Sequence, residues 1–336
     1  MEQRYTGYRV KSKRQSLWVF TGITFVCFGS WVAGYLSSVG FPVYGGVGDA
    51  PLWNAFCKIL PSKEITYLIG FILMMGGAVL LQKSNYELML IREKSKLPFF
   101  LNIFLISTNP NFFPLNPASF GVFFLIVAIS LLFSTYHRHD VRSTAFNISL
   151  IISLGSLLWI HILWFIPLFW YGMYKFRTLT VRAFLASLVG FVTIYWFLLG
   201  WCVWSRDFSP FFVFSSLFKI QLISFSYMDW INWIGMFLVA FVFLIAVVNI
   251  ISHDLDDIQR TRHFLYLLVL FGFWSFALAV LFAQSADEFL QSACIPSSLL
   301  IAHFFTLSRG RVVGWLYYFT LLSFAVILSV RLWNFL

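Results

Sequence analysis

Long apolar runs separated by short polar segments dominate the chain. About 20 consecutive apolar residues cross a bilayer as one helix, so runs of that length are typical of transmembrane spans. The pattern predicts an all-α, polytopic transmembrane helical bundle of about 11 spans, three of them short, in one domain over residues 1–336. The runs are Ser16–Ser38, Ile65–Leu81, Leu97–Ile106, Pro117–Tyr136, Ala145–Trp159, Ile162–Tyr174, Ala183–Trp204, Trp230–Ile251, Phe264–Ala283, Phe289–Leu307 and Val312–Val330.

A basic segment precedes the first run. Residues 1–15 carry five Lys or Arg side chains, and a secretory signal peptide begins in the same way. No clear small-residue cleavage site follows Ser16–Ser38. We therefore interpret this run as the first transmembrane helix and residues 1–15 as a basic cytoplasmic N-terminus.

Two of the short runs form a predicted helical hairpin. Ala145–Trp159 and Ile162–Tyr174 would each reach only about 22 Å, which is less than the roughly 30 Å hydrocarbon core. The hairpin would then turn at Ile160 and His161 inside the outer leaflet. Polar backbone at that depth needs protein or a water-filled cavity around it. Either a cavity near His161 or local thinning of the bilayer would accommodate so short a hairpin.

Two outer loops have helical periodicity. Residues 50–60 place Trp53, Phe56 and Leu60 on one side, and residues 210–223 place Phe211, Phe214, Leu217 and Phe218 on one side. Both segments are predicted to be amphipathic helices lying at the membrane interface. Such helices line lateral access for a lipid-linked substrate, form a docking surface, or only anchor the protein.

The composition agrees with a membrane protein and excludes a separate aqueous domain. Hydrophobic residues make up 60% of the chain and charged residues only 11%, against about 25% charged in soluble proteins. The net charge of +10 reflects orientation, because 18 of the 23 basic residues fall in alternate loops. The positive-inside rule then predicts a cytoplasmic N-terminus and a periplasmic C-terminus. Nucleic acid is not an expected partner.

The acidic residues and cysteines exclude further classes of site. All 13 acidic residues fall in loops or at span ends, whereas ion-coupled transporters retain carboxylates within the membrane. The four cysteines show no metal-ligand or disulfide spacing. We therefore expect no ion coupling, no metal and no cofactor.

Asp49 and His161 are the predicted catalytic candidates, since both fall on the predicted outer face. Asp49 also suits a turn in a glycine-rich segment, and His161 also suits a polar cap of the hairpin. An acid/base site needs several groups to converge, and the sequence does not reveal convergence. The other polar residues of this face are Asn109, Asn111, Asn116, Arg206, Asp207, Asp287 and Glu288. Asn116 suits a helix N-cap before Pro117, and the two acids suit a helix N-terminus.

Several segments resemble a family of uncharacterised multi-pass inner-membrane proteins of Bacteroidota. The similar stretches are Leu97-Pro98-Phe99-Phe100, Asn116-Pro117-Ala118, residues 145–157 and residues 176–190. The resemblance covers roughly residues 80–205 well and implies a Gram-negative inner membrane, but no activity. Some members are labelled carotenoid oxygenases; this sequence lacks the four-histidine iron set of such enzymes.

Three functions follow as hypotheses. The first is a non-catalytic subunit or scaffold of an envelope-biogenesis complex, with membrane lipids and other membrane proteins as partners. The second is a glycosyltransferase-like enzyme that uses a polyprenyl-phosphate-linked substrate, because the many spans and the outer aspartate resemble such enzymes; they carry an acidic pair where this chain has Asp49. The third is a lipid flippase without ion coupling. A deep outer cavity favours the enzyme, and a filled bundle favours the subunit.

Overall fold

A computed structural model describes residues 17–37, 50–60, 62–93, 95–138, 140–222, 230–253, 258–308 and 310–335. The described residues are almost entirely helical, as predicted. Their α-helices are α1 Leu17–Ser37, α2 Trp53–Ile59, α3 Lys63–Leu88, α4 Leu97–Ser107, α5 Pro117–Ser134, α6 Arg142–Ser156, α7 Ile166–Lys175, α8 Val181–Ser205, α9 Ser209–Phe212, α10 Trp230–Ser252, α11 Gln259–Leu281, α12 Ala286–Leu307 and α13 Arg311–Phe335.

Eight of these helices are long and apolar enough to cross a membrane: α1, α3, α5, α8, α10, α11, α12 and α13. The shortest, α5, has 18 residues, which rise about 27 Å at 1.5 Å per residue. Their length and composition make the chain a helical membrane protein. The three short predicted runs correspond to α4, α6 and α7, which have 11, 15 and 10 residues.

The central element of the bundle is α12. Within its apolar span, 89% of the residues are buried, against 22% for α8 and 28% for α13. Helices α4, α5, α10 and α11 surround it. Its inward residues include Ala293, Ser297 and Ala302, and small side chains of this kind let neighbouring transmembrane helices approach closely.

Helices α6 and α7, the two arms of the predicted hairpin, are joined by a 3₁₀ segment at Ile160–Phe165, but α6 packs mainly on α8 rather than on α7. The tip is buried in protein: Trp159 and Ile162 are almost completely inaccessible. Gly121 of α5 makes room for Trp159, because a Cβ at position 121 would collide with the indole ring. Surrounding protein therefore encloses the connection between α6 and α7.

The first predicted interfacial segment, residues 50–60, forms only the seven-residue α2. Its apolar side packs on the protein, since Trp53 and Leu60 are buried with Leu115. The backbone N–H of Leu52, just before α2, donates to the Leu157 carbonyl at 2.9 Å. The helix thus covers the end of α6.

The second predicted interfacial segment, residues 210–223, forms α9 and a 3₁₀ turn at Val213–Phe218; residue 223 lies outside the described part of the chain. A 3₁₀ helix has three residues per turn, so Phe211, Phe214 and Leu217 share one inward side. Phe218 is 75% exposed. The prediction that Phe218 belongs to the same face was therefore wrong.

Candidate functional site: a buried polar centre at the start of the central helix

The first turn of α12 meets the tip of the hairpin and forms a polar centre, defined by Trp159, His161, Ser285 and Glu288. Glu288 is 3% exposed and His161 is 7% exposed. Trp159 and His161 are there because the connection between α6 and α7 turns inward. Ser285 and Glu288 are there because α12 begins with a 3₁₀ turn at Ala283–Ser285.

Glu288 is the main acceptor of the polar centre. The Trp159 indole N–H donates to Glu288 Oε2 at 2.5 Å. His161 Nδ1 lies 4.0 Å from the same carboxylate oxygen and 3.4 Å from the Ser285 hydroxyl. Phe282 and Phe289 flank the imidazole ring, with centroid distances of 5.4 and 5.7 Å. A buried carboxylate is stabilised by such donors and by its position in the first turn of a helix.

The polar centre does not have the geometry of a nucleophilic relay. In a serine, histidine and acid relay, one ring nitrogen contacts the hydroxyl while the other contacts the carboxylate. Here the Ser285 hydroxyl and Glu288 both approach Nδ1 of His161. These contacts join the connection between α6 and α7 to the start of α12.

The space beside the polar centre is small. A cavity of about 20 Å³ is lined by His161 and Ser285 together with Ser216, Lys219, Gln221 and Gln284. A single water molecule needs about 10–15 Å³ of such volume. The space between these residues therefore has room for one water molecule.

A second polar cluster forms around Asp287, the residue that precedes Glu288 in α12. The side-chain amides of Asn109 and Asn111 donate to its two oxygens at 3.3 and 3.0 Å. Arg331, near the end of α13, interacts electrostatically with Asp287 and donates to the Thr108 carbonyl at 2.6 Å. This cluster ties the α4–α5 connection to both α12 and α13.

The structure separates the remaining predicted site residues. Asn116 accepts from the Ser119 backbone N–H and begins α5 before Pro117, as predicted. Arg206 and Asp207 are exposed at the end of α8. Hydrogen bonds from the Ser209 backbone and side chain lower the pKa of Asp207. Asp49 lies outside the described residues.

Metal binding has no support within the described ranges. They contain no group of three His, Cys, Asp or Glu side chains placed to hold a metal ion. Cys27, Cys202 and Cys294 are buried, and no disulfide joins them. All three cysteines pack as small apolar side chains.

Arg331, Trp159 and Ser285 were not among the sequence-predicted site residues. The sequence contained one indication that Arg331 has a partner, because a charged residue ending an apolar run of more than 18 residues is costly unless it finds one. It contained no such indication for Trp159 or Ser285, since tryptophan is common at interfaces and serine is common in helices. The pairing of the hairpin with α12 joins residues more than 120 positions apart.

Comparisons with known proteins add no family to this description. A scan of protein-family models and a search of curated proteins found no match to the chain.

Proposed function

We propose that this protein is a non-catalytic subunit or scaffold of a cell-envelope biogenesis complex in the inner membrane of a Gram-negative bacterium. It would cross the membrane about eleven times, with α4, α6 and α7 as short spans. The distribution of basic residues among the loops supports a cytoplasmic N-terminus and a periplasmic C-terminus. The membrane location and the envelope role also rest on the family resemblance of residues 80–205.

The observation that carries the proposal is the filled polar centre. Ligand sites for small molecules have volumes of roughly 300–1,000 Å³, whereas the space beside His161 is about 20 Å³. Glu288 and Asp287 already hold protein donors from the hairpin and from the α4–α5 connection. Both carboxylates thus link α12 to other parts of the chain.

Exposed aromatic residues support a role in assembly. Phe212 and Phe218 are 76% and 75% exposed on the segment that follows α8. Large apolar side chains beyond the end of a span contact either the bilayer interface or another membrane protein. A subunit of a membrane complex would use such residues for docking.

Copurification tests the proposal. The full-length chain would be tagged in its source organism, extracted in mild detergent and weighed by native mass spectrometry, with an unrelated polytopic protein carrying the same tag as control. We expect other membrane proteins at a fixed stoichiometry, reduced by F212S/F218S. A strictly monomeric chain contradicts the subunit role.

A second candidate is the polyprenyl-phosphate-dependent, glycosyltransferase-like enzyme acting at the periplasmic face. It is favoured by the convergence of Lys219, Gln221 and Gln284 with His161 around one cavity, because a cation and amide donors suit a phosphate. Asp49→Asn would then abolish function while the protein stays folded. Full function in that variant removes this candidate.

A further inference from the structure

A groove between α7 and α11 lies away from the polar centre and has about 590 Å³ of space. Helix α7 contributes Tyr171 and Lys175, and α11 contributes the other wall. The α11 residues are Gln259, Arg262, His263, Tyr266, Leu267, Val269, Leu270 and Phe273. Most of them recur at intervals of three or four, so the groove follows one face of α11. From Gln259 to Phe273 it extends about 21 Å along the helix axis.

The chemistry of this basic groove changes along its length. Lys175, at the last residue of α7, and Arg262, in the first turn of α11, supply two positive charges at one end. Leu270 and Phe273 make the other end apolar. None of the described residues that line the groove is acidic. The charged end therefore suits a phosphate, and the apolar end suits a hydrocarbon chain.

The open side of the groove faces outward from the bundle. Tyr171 and Tyr266 are each 42% exposed, and Phe273 is 45% exposed. The groove begins where a span ends and continues alongside the apolar part of α11. An occupant must therefore be amphiphilic, with its anionic group at the membrane surface and its chain in the hydrocarbon region.

We propose that the basic groove is a binding site for an anionic phospholipid, whose phosphate contacts Lys175 and Arg262 and whose acyl chain lies along Leu270 and Phe273. This site is independent of the polar centre and of the subunit role. A free phosphate ion is the competing source of the same headgroup chemistry. It would leave the apolar end of the groove empty.

Lipid retention by the full-length chain tests the proposal. Purified protein would be titrated with phosphatidylglycerol, and bound lipid counted by native mass spectrometry, with phosphatidylcholine of the same chains as reference. We expect K175Q/R262Q to weaken phosphatidylglycerol binding by roughly tenfold or more and to leave phosphatidylcholine binding unchanged. The matched control is K83Q/R92Q, which removes two charges from outside the groove and should bind like the unmodified chain.

Two outcomes would overturn the site. Equal loss in K83Q/R92Q would show that overall surface charge attracts the lipid, and no loss in K175Q/R262Q would show that the groove does not bind it. A short-chain phosphatidylglycerol should bind more weakly than the long-chain lipid, and L270A/F273A should remove that difference. Displacement of the long-chain lipid by inorganic phosphate would instead identify a phosphate ion as the occupant. Thermal unfolding of each variant checks that the fold is intact.

Discussion

The polar centre and the basic groove differ in the types of side chain that form them and in the volume of the space beside those side chains. In the polar centre, a carboxylate and a hydroxyl lie 4.0 and 3.4 Å from one histidine nitrogen, yet only about 20 Å³ lies beside it. The groove has two cations and apolar walls around about 590 Å³. Residue types typical of catalysis thus occur where helices are joined, and the larger space lies between α7 and α11, where we propose that a lipid binds.

The difference between the two regions indicates that buried ionisable residues link helices in this bundle. Removing one partner from a buried charged network leaves the other partner without its counterpart, which costs several kcal/mol. Breaking such a network therefore destabilises the packing of the helices that it joins. The first prediction tests the polar centre, the second a close contact between α6 and α8, the third the Asp287 cluster and the fourth an exposed ion pair.

The largest expected effect is at Glu288. Glu288→Leu leaves the buried Trp159 N–H without an acceptor, and we expect a loss of roughly 3 kcal/mol in the free energy of unfolding in detergent. Glu288→Gln keeps an amide oxygen at this place and should cost less than half as much. Equal stability of the leucine variant and the unmodified protein would contradict a structural role.

The next effect concerns the contact between α6 and α8. A Cβ at position 190 would collide with the Phe146 carbonyl oxygen, so Gly190→Ala should destabilise the protein by about 1–3 kcal/mol. Gly200 is the matched control on the same helix, because no heavy atom lies within 4 Å of the place its Cβ would take. Equal melting temperatures for the two alanine variants would show that the helices do not pack this closely.

A smaller effect is expected at Asn111. Asn111→Ala removes one of the two amide donors to Asp287, and a hydrogen bond to a charged group contributes about 1.5–3 kcal/mol. Since Asn109 remains, we expect the lower end of that range. Asn111→Asp should destabilise more, because it adds a like charge. Chemical unfolding measures the free energy of unfolding of each variant. A larger loss for Asn111→Ala than for Asn111→Asp would contradict the contact between Asn111 and Asp287.

The smallest effect is at Asp140, in the loop before α6. Hydrogen bonds and charge from Arg142 lower the pKa of Asp140 to about 2. Because the folded pKa is depressed, its contribution is present above the unfolded pKa and is lost as pH falls through about 2. The pair is exposed, so Asp140→Asn should leave the melting temperature at neutral pH almost unchanged. A large decrease would show that this loop contributes more than surface pairs do.

Much of the fold could be predicted from hydrophobic runs, because lipid requires long apolar helices and eight of the eleven runs form helices of that length. Asn116 before Pro117 also predicted the start of α5, since a cap acts within three residues. The spacing of the apolar residues in segment 210–223 was less informative, because part of the segment forms a 3₁₀ turn instead of an α-helix. The periodicity of the sequence does not distinguish between these two helix types there.

The candidate site was predictable only in part. His161 was correctly expected at the hairpin tip, and Asp287 and Glu288 at a helix N-terminus. Their partners could not be predicted, because the contacts of Trp159 with Glu288 and of Asn111 with Asp287 depend on how distant helices pack. Single residues carry no pattern that specifies a contact across more than 120 positions.

The most direct test of the structural role asks whether the Glu288 carboxylate is needed for function. Glu288→Gln would be expressed in a strain of the source organism that lacks this protein, at a level matched to the unmodified chain, with membrane insertion and folding verified. A structural role predicts that this variant corrects the defect of that strain, since its side-chain amide oxygen still accepts from the Trp159 N–H. A folded, inserted Glu288→Gln protein without any function would contradict it and would make the polar centre a catalytic site.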